Sequence, residues 1–164
     1  SKDELFCNLV DVDGYYFTHF LQDKAKTAYG GAELKYGYKD WFDASLKGTF
    51  YSWKTDNENE ELYLMTKPKF ELNFYAEAKV FEGLKVYLGY EYVQRKEYVI
   101  EEGNSSRDFG LGNISNLSVG ASYTFLKDLS VFGRVNNLLN KQYYYEYGYP
   151  AEKLNVLAGL SLVF

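Results

Sequence analysis

The sequence has very little cysteine, histidine or proline and no long run of apolar residues. Cys7 is the single cysteine, which excludes an internal disulfide and a zinc cluster. No apolar run approaches the roughly 18 residues that a membrane-spanning helix needs, so a membrane location would have to be reached through strands. The net charge is −5 and the basic residues form no cluster, which argues against nucleic acid as a partner.

Residues that carry catalytic chemistry are also scarce. His19 is the single histidine, so a Ser–His or Cys–His pair would depend on it. It lies in an aromatic run, residues 15–20, where a structural role is the simpler interpretation. Acidic runs at residues 58–61 and 101–102 could hold calcium, but solvated loop charge explains them better. We therefore predict that the protein is not an enzyme, and we predict no metal and no cofactor.

Aromatic residues are abundant, and apolar residues alternate with polar ones along much of the chain. The chain contains 18 Tyr and 12 Phe, and tyrosine suits surfaces that are apolar on one side and wet on the other. In residues 116–125 every second residue is apolar, from Leu117 to Phe125, and the residues between them are Asn, Ser, Gly or Thr. This alternation is typical of strands. It recurs in residues 15–21, 28–38, 42–53, 69–81, 84–95, 129–135 and 154–164.

The length of these runs and the connections between them predict a barrel. Most runs have about 10 to 13 residues, which is the length of a tilted strand that crosses a bilayer. Short turns at residues 39–40, 82–83 and 127–128 alternate with long connections at 54–68, 96–113 and 137–153. This is the layout of an antiparallel up-and-down transmembrane β-barrel. We count about eight long strands, and a short apolar piece at residues 5–10 would be a ninth, which indicates a larger barrel.

The apolar face could point outward to lipid or inward to a core, as in a soluble lipocalin-like barrel. Lipid is favoured because the polar face carries Ser, Asn, Gly and charges of both signs, which suits a wet or plugged lumen. Aromatic residues also lie towards the strand ends, as interfacial girdles do. These girdle candidates are Tyr36, Tyr38, Trp41, Phe42, Tyr90, Tyr92, Tyr123 and Phe125.

The last part of the chain resembles a known family. The run from Val135 to Tyr144 (VNNLLNKQYY) is similar to the penultimate-strand signature of TonB-dependent outer-membrane receptors. A Tyr/Gly/Pro-rich loop and a final strand ending in Phe164 follow it, as in that family. The signature residues are Asn136, Asn137, Leu138, Asn140, Tyr143 and Tyr144.

The resemblance implies a barrel of about 22 strands with an N-terminal plug. Residues 1–164 are then expected to be a C-terminal barrel segment without the plug, located in the bacterial outer membrane. The implied function is TonB-dependent uptake of a scarce nutrient, such as a siderophore, haem, cobalamin or a glycan. The implied partners are outer-membrane lipid, the barrel-assembly machinery, an unknown ligand and, through a plug, the TonB complex. The alternative is a complete small barrel of eight strands with an adhesive or structural role.

Two groups of residues are candidates for function. The terminal strand resembles the assembly signal of outer-membrane barrels, and strand addition to an edge explains how such a signal is read. This signal would consist of Leu160, Leu162 and Phe164. The aromatic loop could contact an extracellular ligand, although an interfacial belt is the plainer interpretation. Its candidates are Tyr143, Tyr144, Tyr145, Tyr147 and Tyr149.

Overall fold

A computed structural model describes the backbone of most of the chain and the side chains of a smaller part. The backbone is described for residues 4–11, 15–22, 25–55, 64–96, 98–102, 105–109, 111–126, 129–146 and 149–163. Side chains are described for residues 25–55, 64–96, 111–126, 129–145 and 149–163. In these ranges no helix is long and apolar enough to cross a membrane.

The described chain is built from strands. They are β1 (Glu4–Asp11), β2 (Tyr15–Gln22), β3 (Lys26–Tyr38), β4 (Phe42–Lys54), β5 (Pro68–Phe81), β6 (Leu84–Arg95), β7 (Tyr98–Glu102), β8 (Ser105–Phe109), β9 (Ile114–Leu126), β10 (Leu129–Asn136), β11 (Tyr144–Glu146), β12 (Tyr149–Pro150) and β13 (Asn155–Leu162). Seven of them form one sheet in the order β13-β10-β9-β6-β5-β4-β3, with every pair antiparallel. The small hairpins β7–β8 and β11–β12 lie within two of the long connections. The predicted all-β antiparallel meander is confirmed.

The sheet differs from the prediction in strand number and in closure. The expected strand at residues 15–21 is β2, but it pairs with β1 in a separate two-stranded sheet and not with β3. The main sheet therefore has seven long strands, with β3 and β13 as open edges, and is not a closed barrel of eight. Alternation in a sequence shows which face a side chain occupies, but it does not show which strand is the neighbour.

The register across the sheet aligns the apolar residues into one continuous face. Leu34, Leu46, Phe74, Tyr90 and Leu117 are successive cross-strand partners from β3 to β9. Direct partners point to the same side of a sheet, and side chains alternate along each strand. The predicted apolar runs of all seven strands therefore share one side, called here the apolar face, and the intervening residues form the polar face.

Tight turns lie at one end of the sheet, the turn end, and the long connections lie at the other, the loop end. Lys39 has a positive φ of 51° in the β3–β4 turn, and Gly83 has a φ of 83° in the β5–β6 turn. A Cβ on Gly83 would lie 2.4 Å from the carbonyl oxygen of Thr124, so this turn requires glycine. The third predicted turn, at residues 127–128, lies outside the described residues.

The few buried side chains lie almost entirely at the loop end. Val93 and Ile114 occupy the loop ends of β6 and β9, and Met65, Leu111 and Tyr143 belong to the long connections; each is 7% exposed or less. By contrast, large side chains on the apolar face are open, as at Leu160, which is 72% exposed. The packed core is thus a cap formed by the long connections at one end of the sheet.

Candidate functional site

The signature run leaves β10 through Asn137, which anchors the connection between β10 and β13. Asn137 is 1% exposed and has a φ of 49°, a backbone conformation that asparagine tolerates better than most residues. Its Nδ2 donates to the carbonyl oxygens of Lys141, at 2.8 Å, and Glu152, at 3.1 Å. Its Oδ1 accepts from the amide of Lys141 at 3.2 Å. One side chain therefore joins the beginning and the end of the connection.

Four further asparagines complete this anchor. The amide of Asn137 donates to Oδ1 of Asn116 on β9, at 3.0 Å. Asn140, with a φ of 50°, accepts a hydrogen bond from the amide of Leu154 through its Oδ1, at 3.2 Å. Nδ2 of Asn136 donates to Oδ1 of Asn155, at 2.9 Å. The asparagines of the signature therefore make hydrogen bonds within the chain.

The connection then folds across the polar face. Val93 and Ile114 are direct partners on the polar side of β6 and β9. The ring of Tyr143 packs with them as a buried cluster, and Ala151 covers its edge. The amide of Ala151 donates to the carbonyl oxygen of Tyr143 at 2.9 Å, which closes the connection on itself. Residues 141–146 and 149–153 consequently lie over the polar face at the loop end, and we call these two pieces together the inward loop.

Arg95 and Tyr145 hold the inward loop to β6. The Arg95 guanidinium is buried and donates through Nη1 to the carbonyl oxygen of Tyr144, while its backbone amide donates to Oδ1 of Asn113 at 2.9 Å. Burial raises the pKa of the Tyr145 hydroxyl well above its ordinary value, and the hydrogen bond that this hydroxyl donates to Tyr143 and the nearby Glu91 carboxylate raise it further. Tyr145 therefore stays a neutral hydrogen-bond donor, although its side chain is about half exposed.

Below the inward loop, polar residues form a row across the polar face. Glu33, Lys47, Asn73, Glu91 and Asn116 are successive direct partners on β3, β4, β5, β6 and β9. Together with Ser45, Ser118 and Arg134 they line a cavity of about 310 Å³. A row of carboxylate, ammonium and amide groups offers both donors and acceptors to whatever lies against this face.

Two aromatic rings lie flat on the polar face over glycines of the next strand. A Cβ on Gly120 would lie 2.2 Å from the Tyr87 hydroxyl oxygen, and one on Gly159 would lie 2.6 Å from the Phe132 ring. Glycine on a strand leaves room for such close packing, and the ring covers the backbone that glycine exposes. This contact explains why an apolar residue, Phe132, stands on the polar side of β10.

The apolar face carries aromatic residues at both of its ends. At the turn end the ring pairs are Tyr36–Phe42, Tyr38–Trp41, Phe81–Tyr123 and Tyr123–Phe125, with centroids 5.7–6.2 Å apart. At the loop end Phe70 lies between Phe50, at 4.5 Å, and Tyr92, at 6.4 Å. Phe50 lies eight residues after Phe42 on β4, about 26 Å along the strand, or about 20 Å along a membrane normal at a tilt of about 40°. Two aromatic belts therefore bound an apolar band somewhat shorter than the band of about 25 Å on membrane barrels.

The remaining candidate residues belong to the terminal strand and to the aromatic loop. Leu160 and Leu162 are exposed on the apolar face of β13, at 72% and 60%, while Phe164 lies outside the described residues. In the aromatic loop Tyr143 is buried and Tyr144 is half-buried, whereas Tyr145 and Tyr149 are 49% and 65% exposed. Tyr147 also lies outside the described residues. Of the five tyrosines, Tyr145 and Tyr149 are the described ones that present open ring surface.

Sequence reasoning did not identify Arg95, Asn116 or the pair Val93–Ile114 as part of this site. Val93 and Ile114 continue the polar side of their strands with apolar side chains, and this break in the alternation is the one available signal. Asn116 and Arg95 carry no signal, because their partners are 21 and 49 residues away along the chain.

The sequence matches no protein-family model and no curated protein. Its structure is similar to the crystal structure of a mutant of the ferric enterobactin receptor (PfeA) of Pseudomonas aeruginosa, with a TM-score of 0.65 at 16% identity. The match covers 99% of this chain and 27% of that receptor. At this identity the likeness concerns the fold alone. The chain has the fold of part of a TonB-dependent receptor barrel, as its C-terminal residues indicate.

Proposed function

We propose that the chain is a wall segment of an outer-membrane receptor that takes up a scarce nutrient with energy from TonB. The observation that carries the proposal is the unbroken apolar face, bounded by two aromatic belts, on a sheet with the fold of a receptor barrel. In this proposal the apolar face meets lipid and the polar face lines the lumen. The alternative, a complete small barrel, gains no support from a sheet whose edge strands β3 and β13 do not pair with each other.

The ligand side of the proposed receptor is the inward loop. Tyr145 and Tyr149 offer open aromatic surface at the loop end, and Tyr145 also offers a neutral hydroxyl. Such rings stack on sugars, planar chelates and peptide groups. The nutrient belongs in this proposal to the siderophore, haem, cobalamin or glycan class.

The orientation of the two faces can be tested with neighbouring residues of β3. Leu34 lies on the apolar face and Lys35 on the polar face, and both are solvent-exposed in the isolated sheet. We would place Leu34→Cys or Lys35→Cys in a Cys7→Ser background of the full-length protein, attach bimane, and reconstitute it with doxyl-labelled lipid. Strong quenching at position 34 and several-fold weaker quenching at position 35 is expected. Equal quenching at both positions contradicts the proposal.

Uptake can be tested in cells. A strain lacking the protein would be given a ferric siderophore, haem, cobalamin or a glycan in turn as the limiting nutrient. We expect growth to fail on one class and to fail in the same way when TonB is removed from the parent strain. Normal growth on all four classes argues against an uptake role.

We also propose that the terminal strand is read by the barrel-assembly machinery. The outer edge of β13 is unpaired in the sheet, so it can accept a strand by edge addition. Deletion of Phe164 from the full-length protein is expected to lower its outer-membrane yield, while Ser161→Ala on the opposite face should leave the yield unchanged. An unchanged yield without Phe164 removes the basis for this role.

A further inference from the structure

Within the seven strands of the main sheet, the apolar face carries one pair of positive charges. Lys26 and Lys54 are direct partners at the loop end of β3 and β4, and these two strands pair over thirteen positions without a register shift. The lysines therefore lie on the same face as Leu34 and Leu46. Within the seven paired strands, no other charged residue lies on the apolar face. The carboxylates of these strands all lie on the polar face.

Such a pair is unfavourable unless an anion lies against it. Cβ atoms of direct antiparallel partners are about 4.5–5.5 Å apart, and like charges at that distance repel. Both lysines are exposed, so a negatively charged group can reach them. Ser52 is the preceding residue of the same face on β4, so its hydroxyl donor lies on the same side of the sheet as the two lysines.

The position of the pair relative to the aromatic belt indicates what kind of anion this is. Lys54 lies four residues beyond Phe50 on the same face of β4, which is about 13 Å along the strand, or about 10 Å along the membrane normal at a tilt of about 40°. Phe50 belongs to the belt at the loop end. A lysine just outside an aromatic belt extends its ammonium group into the headgroup layer.

We propose that Lys26 and Lys54 bind a phosphate group of a phosphorylated lipid in the outer leaflet. The inference rests on the proposed function, because it requires the apolar face to meet lipid. Lysine binds phosphate as a point charge and needs no bidentate geometry. A lipid is the source of the phosphate because the site faces sideways from the sheet and is continuous with the apolar band, where acyl chains would lie.

The test compares lysines on the two faces of the same two strands. The full-length protein in detergent would be titrated with diphosphoryl lipid A, and the rise in its unfolding temperature would give an apparent Kd. For the double variant Lys26→Gln/Lys54→Gln we expect binding roughly 30-fold weaker, equivalent to about 2 kcal/mol at about 1 kcal/mol per lysine. The control Lys35→Gln/Lys47→Gln removes two lysines from the polar face and should bind as the parent does.

Three results would overturn the inference. The first is that the two double variants bind diphosphoryl lipid A with equal affinity. The second is that the parent binds lipid A without its phosphates as tightly as diphosphoryl lipid A. The third is that inorganic phosphate alone stabilises the parent as much as diphosphoryl lipid A does. The bimane quenching at position 34, measured in parallel on the reconstituted Leu34→Cys protein, separates this inference from the proposed function. Quenching without lipid discrimination overturns the lysine site and leaves the membrane orientation intact, whereas absence of quenching overturns both.

Discussion

Asn137 and Glu152 lie fifteen residues apart in sequence, and Nδ2 of Asn137 donates a hydrogen bond of 3.1 Å to the carbonyl oxygen of Glu152. The same amide group also holds Lys141. The inward loop is therefore held at its base by a buried side chain, that of Asn137.

Asn137→Ala is expected to destabilise the full-length protein by about 3 kcal/mol, because it removes the hydrogen bonds of a buried side chain and puts alanine at a positive φ. Asn137→Gly removes the same hydrogen bonds without the backbone strain and should cost about 1 kcal/mol less. Denaturant unfolding measures both. Asn73→Ala, at an exposed polar-face position, is the control and should change stability by under about 0.5 kcal/mol. An Asn137→Ala variant as stable as the control would contradict the anchoring role.

Gly120→Ala should cost about 1–3 kcal/mol, because the new Cβ would displace the Tyr87 ring. Gly133→Ala on the neighbouring strand is the matched control, since a Cβ there meets nothing within 4 Å. Adding Tyr87→Ala to Gly120→Ala should cost less than the sum of the two single changes, as measured in a double-mutant cycle of unfolding free energies. Strict additivity would mean that the ring and the glycine do not interact.

The docking of the inward loop should weaken in alkali. The pKa of Tyr145 is raised in the folded protein above its ordinary value of 10.0, so the folded state holds this proton more tightly than the unfolded state does. The resulting stabilisation is fully present below pH 10 and is lost as the pH rises from there towards the folded pKa. Hydrogen exchange of the amide of Ala151 should therefore accelerate more above pH 10 in the parent than in Tyr145→Phe. The same acceleration in both proteins would assign the effect to other groups.

Leu34→Lys provides a further test of the lipid-facing side. Leu34 is 69% exposed, so in a water-soluble sheet the change should be nearly neutral. On the lipid side near the middle of the band it should cost about 2–4 kcal/mol. Refolding into lipid vesicles, followed by denaturant unfolding, measures the difference, and Ser161→Lys on the polar face serves as the control. Similar small effects in both variants would count against burial in a bilayer.

Much of the sheet follows from the sequence. The period-two alternation located all seven long strands and assigned their faces, because successive side chains of a strand point to opposite sides of the sheet. The tight turns at Lys39 and Gly83 were also predicted, since short polar or glycine turns punctuate the runs. Alternation does not show which strands pair with each other. The separate β1–β2 sheet therefore does not follow from the sequence.

The candidate site was less accessible to prediction. The signature asparagines were noticed as a family pattern, but their role as hydrogen-bonding anchors depends on Glu152 and Asn116, which the pattern does not contain. The five loop tyrosines look equivalent in sequence. Only the structure distinguishes Tyr143, buried against Val93 and Ile114, from the open Tyr149, because the residues that bury it lie on strands far away along the chain.

The glycine turn between β5 and β6 has a consequence for the register of the next strand of the sheet, β9. The amide of Thr124 donates to the carbonyl oxygen of Gly83 at 2.9 Å, so the turn of one hairpin holds the end of β9. The connection from β6 to β9 is long and cannot set their alignment by its own length. If β9 shifted by one residue along β6, the hydrogen bond between the Thr124 amide and the Gly83 carbonyl would be lost. The Thr124 carbonyl would then lie against a different part of the turn. The turn of the β5–β6 hairpin therefore helps to set the register of β9 against β6.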